Sequence, residues 1–217
     1  AEIGVNHEGS LETAKLLIEL AKNGGADAAK FQTYKAETLA SKHSPAYWDT
    51  TKEATRSQYE LFRKYDVFGP DEYKELAKHC ASVGIDFVST PFDDAAADLL
   101  APLVPFFKVA SADLTNTPLL RRVARAGKPV VLSVGASTLE EIDGALATLR
   151  AAGATSIALL HCILNYPTAD ENANLRMISS LGPISINCSV RNMIPQAIGS
   201  FIASQRASTS SRSSTSR

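Results

Sequence analysis

The run Phe106-Phe107-Lys108-Val109-Ala110-Ser111, followed by the segment Thr117 to Ala126 and then by Val130-Val131-Leu132-Ser133-Val134-Gly135, decides the fold. Two short apolar runs, each closing on polar residues, flank a stretch of helical spacing that stops at Gly127 before Lys128-Pro129. The unit reads as strand, helix, strand, and the chain repeats it in both directions. Upstream, Ile85 to Ser89 is a strand and Asp93 to Leu100 a helix. Downstream, Thr138 to Ala151 is a helix and Ile157 to His161 a strand, with Glu171 to Leu181 helical in pattern.

The N-terminal third keeps the same rhythm. Ala1 to Val5 is a short strand, and Ser10 caps a helix in which Leu11, Ala14, Leu17, Ile18 and Ala21 share a face. Asn23-Gly24-Gly25 stops that helix, and Asp27 to Gln32 forms the next strand. Tyr34 to Gln58 has no clear period and reads as a long connection beside a pocket mouth. Tyr59 to Tyr65 is a short helix, and Pro70 suits the first turn of another that ends near Gly84. Strands alternating with helices predict an α/β fold with parallel pairing, a (β/α)8 TIM-type barrel. About six to seven of the barrel's strands are present, the last of them drawn from Pro183 to Ser189, so the barrel is expected to be incomplete at its C-terminus. Residues 1–190 form the partial barrel. Residues 191–217, rich in Ser, Thr and Arg with little to bury, are an expected disordered tail.

Composition narrows the function. At 217 residues the chain suits a single domain with a substantial core. A formal net charge of −1 argues against nucleic-acid or membrane-surface binding by bulk charge. No run approaches the roughly 18 apolar residues of a membrane span. The 3 cysteines lack zinc-like spacing and read as reduced thiols of a cytoplasmic protein. No Gly-x-Gly-x-x-Gly or Walker pattern supports a nucleotide, and no nucleophile elbow supports a hydrolase.

The strand ends carry the chemistry, because the C-terminal ends of parallel barrel strands converge on one face. Lys30 and Lys108 lie in strands otherwise built to be buried. A buried ammonium requires a partner, either a structural carboxylate or a bound anion. Two such lysines on one rim, with the hydroxyls of Thr90, Ser111 and Ser133 nearby, favour a phosphate or carboxylate ligand. Each hydroxyl alone is equally suited to capping a turn, and Gly135 either to ligand approach or to a turn. Glu8, at the end of the first strand, is placed to act as a general base, hold a substrate hydroxyl, help place a metal, or simply start the helix. His161 suits a ligand or a hydrogen-bonded core residue equally, and no His or Cys pairing completes a metal site.

In order and register, several motifs together resemble the sialic acid synthase (N-acetylneuraminate synthase) family from Ala1 to about Leu181. They are Ala1-Glu2-Ile3-Gly4-Val5-Asn6-His7-Glu8-Gly9-Ser10, the run from Gly25 to Thr33, Ser89-Thr90-Pro91-Phe92-Asp93, the run from Lys108 to Asn116, the run from Gly127 to Gly135, and the run from Leu159 to Thr168. The resemblance implies a barrel enzyme that condenses phosphoenolpyruvate with an N-acetylated amino-sugar aldehyde, N-acetylmannosamine or a relative of it. The enol carbon attacks the aldehyde, water adds, and phosphate leaves to give a nine-carbon 2-keto acid. It also implies a divalent metal, Mn²⁺ or Mg²⁺, and a homodimer. By motif, Lys30, Thr90, Lys108, Ser111 and Ser133 would hold phosphoenolpyruvate, Gln32 and Tyr166 would touch the sugar, and Glu8 would lie beside metal and aldehyde.

The pattern departs from the family after Leu181. The family's metal-binding histidines belong to a Ser-Asp-His-Thr strand and a later Glu-Lys-His-Phe segment; here the chain reads Pro183-Ile184-Ser185-Ile186-Asn187-Cys188-Ser189 and neither motif follows. The family's C-terminal domain, through which its members dimerise, is missing as well. The expectation is a truncated member with no metal ligand of its own, produced by a changed reading frame or misassigned exon beyond about residue 182. Its alternatives are a fragment that keeps only an anion pocket, or a related phosphoenolpyruvate-using synthase.

Overall fold

The structure, a computed structural model, describes residues 1–46, 48–51, 53–163 and 168–181. The expected role of Tyr166, the expected strand over 183–189 and the expected tail lie outside these residues. Strand β1 (Glu2–Gly4) leads to helix α1 (Leu11–Asn23) and strand β2 (Ala28–Thr33). Helices α2 (Ala36–Leu39), α3 (Gln58–Tyr65) and α4 (Pro70–Val83) precede strand β3 (Asp86–Pro91) and helix α5 (Asp94–Leu100). Strand β4 (Phe107–Val109), helix α6 (Thr117–Arg125), strand β5 (Val130–Ser133), helix α7 (Leu139–Ala151), strand β6 (Ile157–Leu160) and helix α8 (Arg176–Leu181) complete the order.

Every strand pair is parallel: β1-β2-β3 form one ladder and β4-β5-β6 another, with β3 lying alongside β4. The described residues thus form an open α/β arrangement of two parallel sheets and do not close into a barrel. Along β2, Ala29, Phe31 and Thr33 are buried while Ala28, Lys30 and Gln32 are half-exposed. This alternation puts the apolar set under the helices and the polar set on the opposite face of the sheet. β4 repeats the device, with Lys108 between buried Phe107 and Val109. Phe31 stacks on Phe87 with ring centroids 5.6 Å apart, and the core continues through Ile18, Leu76, Leu100, Leu120, Leu132, Leu146 and Leu149.

Local chemistry sets the helix ends. Ser10 Oγ accepts from Thr13 N at 3.1 Å to start α1, and Asp93 Oδ1 accepts from Ala96 N at 2.7 Å to start α5. Thr138 and Glu141 satisfy each other's backbone amides at 3.2 and 2.8 Å at the start of α7. Gly84, at φ 74°, takes the left-handed turn that ends α4, where a side chain would be strained.

Two segments differ from expectation. The connection after β2 holds helix α2, too short for a period to register, and Asp66 anchors it by accepting from Lys35 Nζ at 2.6 Å and Ala36 N at 2.9 Å. The helix expected over Glu171 to Leu181 is instead a 3-10 turn at Asp170–Asn172 and the shorter α8, parted by Asn174 at φ 46°. Among the described residues no helix is long and apolar enough to cross a membrane.

Leu146 is 1% exposed, so Leu146→Ala removes contacts that the packed helix layer cannot replace. Its urea unfolding is expected to show a loss of about 2–5 kcal/mol. Leu16→Ala, at a side chain 54% exposed on α1, is expected to change stability by less than about 0.5 kcal/mol.

Candidate anion-binding site

Lys108 is the centre of the site. Its Nζ donates to Ser133 Oγ at 2.6 Å and to the Val109 carbonyl at 3.0 Å. The register pairs Lys108 with Val131, and Ser133 follows two residues on, so both side chains share one face of the sheet. Burial, with a smaller contribution from the positive charge of Lys30, pushes the Lys108 ammonium down to about 8, against smaller opposing effects of Cys162 and Glu2. The two lysines therefore feel each other's charge across β3.

Lys30 is held differently. It is partly exposed, contrary to the burial expected from its strand, and its Nζ contacts Glu2 Oε1 at 2.6 Å. Glu2 is the Cα partner of Lys30 in the β1–β2 ladder, which places the two side chains on the same face. The register then shifts at Gly4, whose φ of 54° forms the irregularity that ends the strand. The sequence reading missed Glu2 because it looked for polar groups after strand ends, and this carboxylate lies within one. The signal was present: with Ile3 in the core, Glu2 has the opposite parity and must face the lysines.

Glu8 lies on the turn beyond β1, exposed, at φ 51°. That turn is pinned by its neighbour His7, 3% exposed, whose ring stacks on Phe68 at 4.3 Å and whose Nδ1 accepts from Gly9 N at 3.1 Å. Burial lowers the His7 pKa and keeps the ring neutral, which suits an accepting Nδ1. Gly9 is required here: it sits at φ 83°, and a Cβ on it would come within 2.9 Å of Val67 Cγ2.

Ser111 opens the turn after β4, and a Cβ added to Gly135 would lie 3.3 Å from its Oγ, 2.8 Å from Cys162 Sγ and 3.1 Å from the Cys162 carbonyl. The ends of β4, β5 and β6 are thus crowded together around Gly135, and only a residue without a side chain fits there. Thr90 is buried on β3 and is the Cα partner of Gln32, one residue pair further along than Phe31 and Ser89. Thr33 Oγ1 and Ser89 Oγ hydrogen-bond to each other at 2.7 Å on the helix-facing side. His161 Nε2 meets the Ala173 carbonyl at 2.8 Å, a hydrogen bond within the fold. Among the described residues no three His, Cys, Asp or Glu side chains gather as a metal site requires.

Two cations of differing burial, the Ser133 hydroxyl at hydrogen-bond range of one of them and a glycine that clears the strand ends make a site suited to a small anion. The pattern of the NeuB family matches residues 17–185, and the chain belongs to that family. It is 43% identical over 185 residues to an uncharacterized protein of Methanocaldococcus jannaschii, a match covering 85% of this chain and 51% of that one. It is 41% identical over 187 residues to the N,N'-diacetyllegionaminic acid synthase of Campylobacter jejuni, covering 83% and 55%. Among solved structures, the N-acetylneuraminic acid synthetase of Leptospira borgpetersenii, in complex with citrate, superposes with a TM-score of 0.73 at 33% identity, covering 83% of this chain and 59% of that one. The chain spans about half the length of the curated relatives it matches.

The depressed Lys108 has a defined pH consequence. Below about 8 the native ammonium is charged and its burial costs stability; between about 8 and 10.5 the folded chain releases that proton before the unfolded one does, so stability rises with pH. Lys108→Met is expected to melt higher than the parent at pH 7, with the gap narrowing as pH is raised from 8 to 10.5 in parallel thermal scans. An unchanged gap across that range would show that Lys108 titrates normally.

Proposed function

We propose that this chain is the phosphoenolpyruvate-binding part of a sialic-acid-type synthase, built as a (β/α)8 barrel to which the six described strands contribute, with residues 1–190 as the synthase unit. The observation that carries the reading is the Lys108–Ser133 hydrogen bond at 2.6 Å, with Lys30 close enough to depress the Lys108 ammonium. Phosphoenolpyruvate brings roughly three negative charges, and its arrival would restore the proton affinity that burial takes from Lys108. Lys30, Lys108, Ser111, Ser133 and Thr90 are the groups we assign to it. The carboxylate in contact with Lys30 is Glu2, while Glu8 lies on the turn after β1.

The second substrate is an acylated amino-sugar aldehyde. Two of the named relatives are, by name, synthases of acidic sugars, one of N,N'-diacetyllegionaminic acid and one of N-acetylneuraminic acid. Gln32, half-exposed on the same face as Lys30, and Tyr166 are assigned to the sugar. The enol carbon of phosphoenolpyruvate bonds to the aldehyde carbon, whose oxygen takes up a proton. Water adds at the phosphate-bearing carbon and gives up its protons to solvent, and the C–O bond to phosphate breaks to leave the 2-keto group. The contribution of this chain's residues is to place the anion and to stabilise charge as it moves onto the leaving phosphate.

The family's divalent metal, Mn²⁺ or Mg²⁺, does not fit a donor set among the described residues, and no step here depends on it. The proposed setting is cytoplasmic.

Calorimetric titration with phosphoenolpyruvate tests the reading. Binding is expected near pH 7, weakening as pH rises through about 8, and Lys108→Met is expected to lower affinity by about tenfold or more. Phosphate release with N-acetylmannosamine or a diacetamido sugar and Mn²⁺ adds the second arm. Turnover establishes a synthase, binding alone establishes an anion-binding chain without turnover, and no binding at any pH overturns the assignment.

A further inference from the structure

We propose that Glu2 is a counter-ion latch: it occupies Lys30 while the site is empty and must leave Lys30 before an incoming anion engages both lysines. The inference rests on the anion-binding reading of the site and adds to it a residue that competes with the ligand.

The geometry favours a latch over a fixed brace. The Glu2–Lys30 contact is short, 2.6 Å, yet the Glu2 side chain is 59% exposed and that of Lys30 22%. An exposed ion pair gains little net free energy, because water solvates both partners nearly as well when they part. Glu2 can therefore swing into solvent at small cost. Lys108 is the opposite case. Its Nζ is committed to Ser133 Oγ and to a backbone carbonyl within its own strand pair, and among the described residues no carboxylate contacts it directly. The empty site thus holds one lysine neutralised by a mobile carboxylate and one lysine left desolvated. An anion that bridges the two relieves the second and replaces the carboxylate on the first.

The strand register explains why Glu2 has this freedom. Glu2 is paired with Lys30 only at the start of β1, and the register is lost by Gly4, so the carboxylate stands on a short stretch of strand before an irregularity. Gly4 matters to the latch as well: a Cβ there would come 3.3 Å from Glu2 Oε1, at a backbone φ of 54°. The cationic neighbours of Glu2 are Lys30, Lys108 and the Ala1 amine, which donates to the Ala28 carbonyl at 2.5 Å. Among the described residues only Lys30 forms an ion pair with it, and this singles out the pair to be tested.

Removing the Glu2 charge should strengthen anion binding, whereas the loss of a structural or substrate-holding carboxylate should weaken it or leave it unchanged. Calorimetric titration of the full chain with inorganic phosphate and with phosphoenolpyruvate is carried out on the parent, Glu2→Gln, Lys30→Gln and the double variant. Glu2→Gln is expected to bind both anions about three- to tenfold more tightly, with the gain fading as salt is raised. In the Lys30→Gln background the same substitution is expected to change affinity by less than about twofold, because there is no ammonium left to release. Weaker or unchanged binding by Glu2→Gln overturns the latch while leaving the anion site standing. An equal gain in both backgrounds also overturns it, since the carboxylate would then act by general repulsion. No binding by any of the four chains overturns the anion site and the latch with it. Unfolding curves of Glu2→Gln matching the parent's keep the comparison free of folding effects.

Discussion

Everything about this site follows from an ammonium that the fold desolvates without neutralising. Lys108 projects between Phe107 and Val109 in a three-residue strand, so burial of its apolar neighbours carries it inward. There, among the described residues, it finds a hydroxyl and a carbonyl but no carboxylate in contact, and burial together with Lys30 moves its pKa to about 8. A fold tolerates such a group when something else recovers the cost. Within the described residues the hydrogen bond to Ser133 recovers part of it, and an anion would recover the rest. The same free-energy deficit that weakens the empty protein becomes binding energy for a ligand of the right charge.

The two lysines answer the same problem in opposite ways, and the sheet explains the difference. β1 ends at Gly4 after three residues, so the face beside Lys30 is open to water and to the side chain of Glu2. β5 runs beside Lys108 for its full length and closes the face with Ser133. One cation is therefore screened and exchangeable, the other dry and fixed. Around them, Gly135 lets the turn after β4 and the end of β6 approach closely, which brings Ser111 and Cys162 to the same point. Parallel strands with a shared direction are what make the convergence possible, because every one of them delivers its C-terminal residues to the same end.

Much of this was legible in the sequence. The periods of two and of 3.6 residues located the six described strands and the long helices, and Ser10 marked a helix start by its capping chemistry. What escaped had physical reasons. Helix α2 is four residues long and shorter than its own period, and its anchor is Asp66, thirty residues away in sequence. Asn174 breaks the last helix by taking a left-handed conformation that a single polar residue does not announce. Glu2 was hidden because a strand end was taken as the only place for a functional group, while strand parity alone assigns it to the face of Lys30. His7 shows the converse: it stands within a polar cluster, yet its ring is packing material against Phe68.

Half-length matches to relatives raise the question of what a partial sheet can do by itself. The answer depends on where the anion's contacts originate. Lys30, Thr90, Lys108, Ser111 and Ser133 come from β2, β3, β4, the turn after β4 and β5, all consecutive along the described chain. An anion seat made from neighbouring strands needs no closure of the barrel to bring its groups together; it needs only that β3 and β4 lie side by side, as they do. In the proposed function, chemistry on an aldehyde partner is more demanding, because it needs groups beyond those that would seat the anion. Under that proposal, binding of the anion and catalysis are separable: the first would be a property of adjacent strands, and the second of whatever faces them.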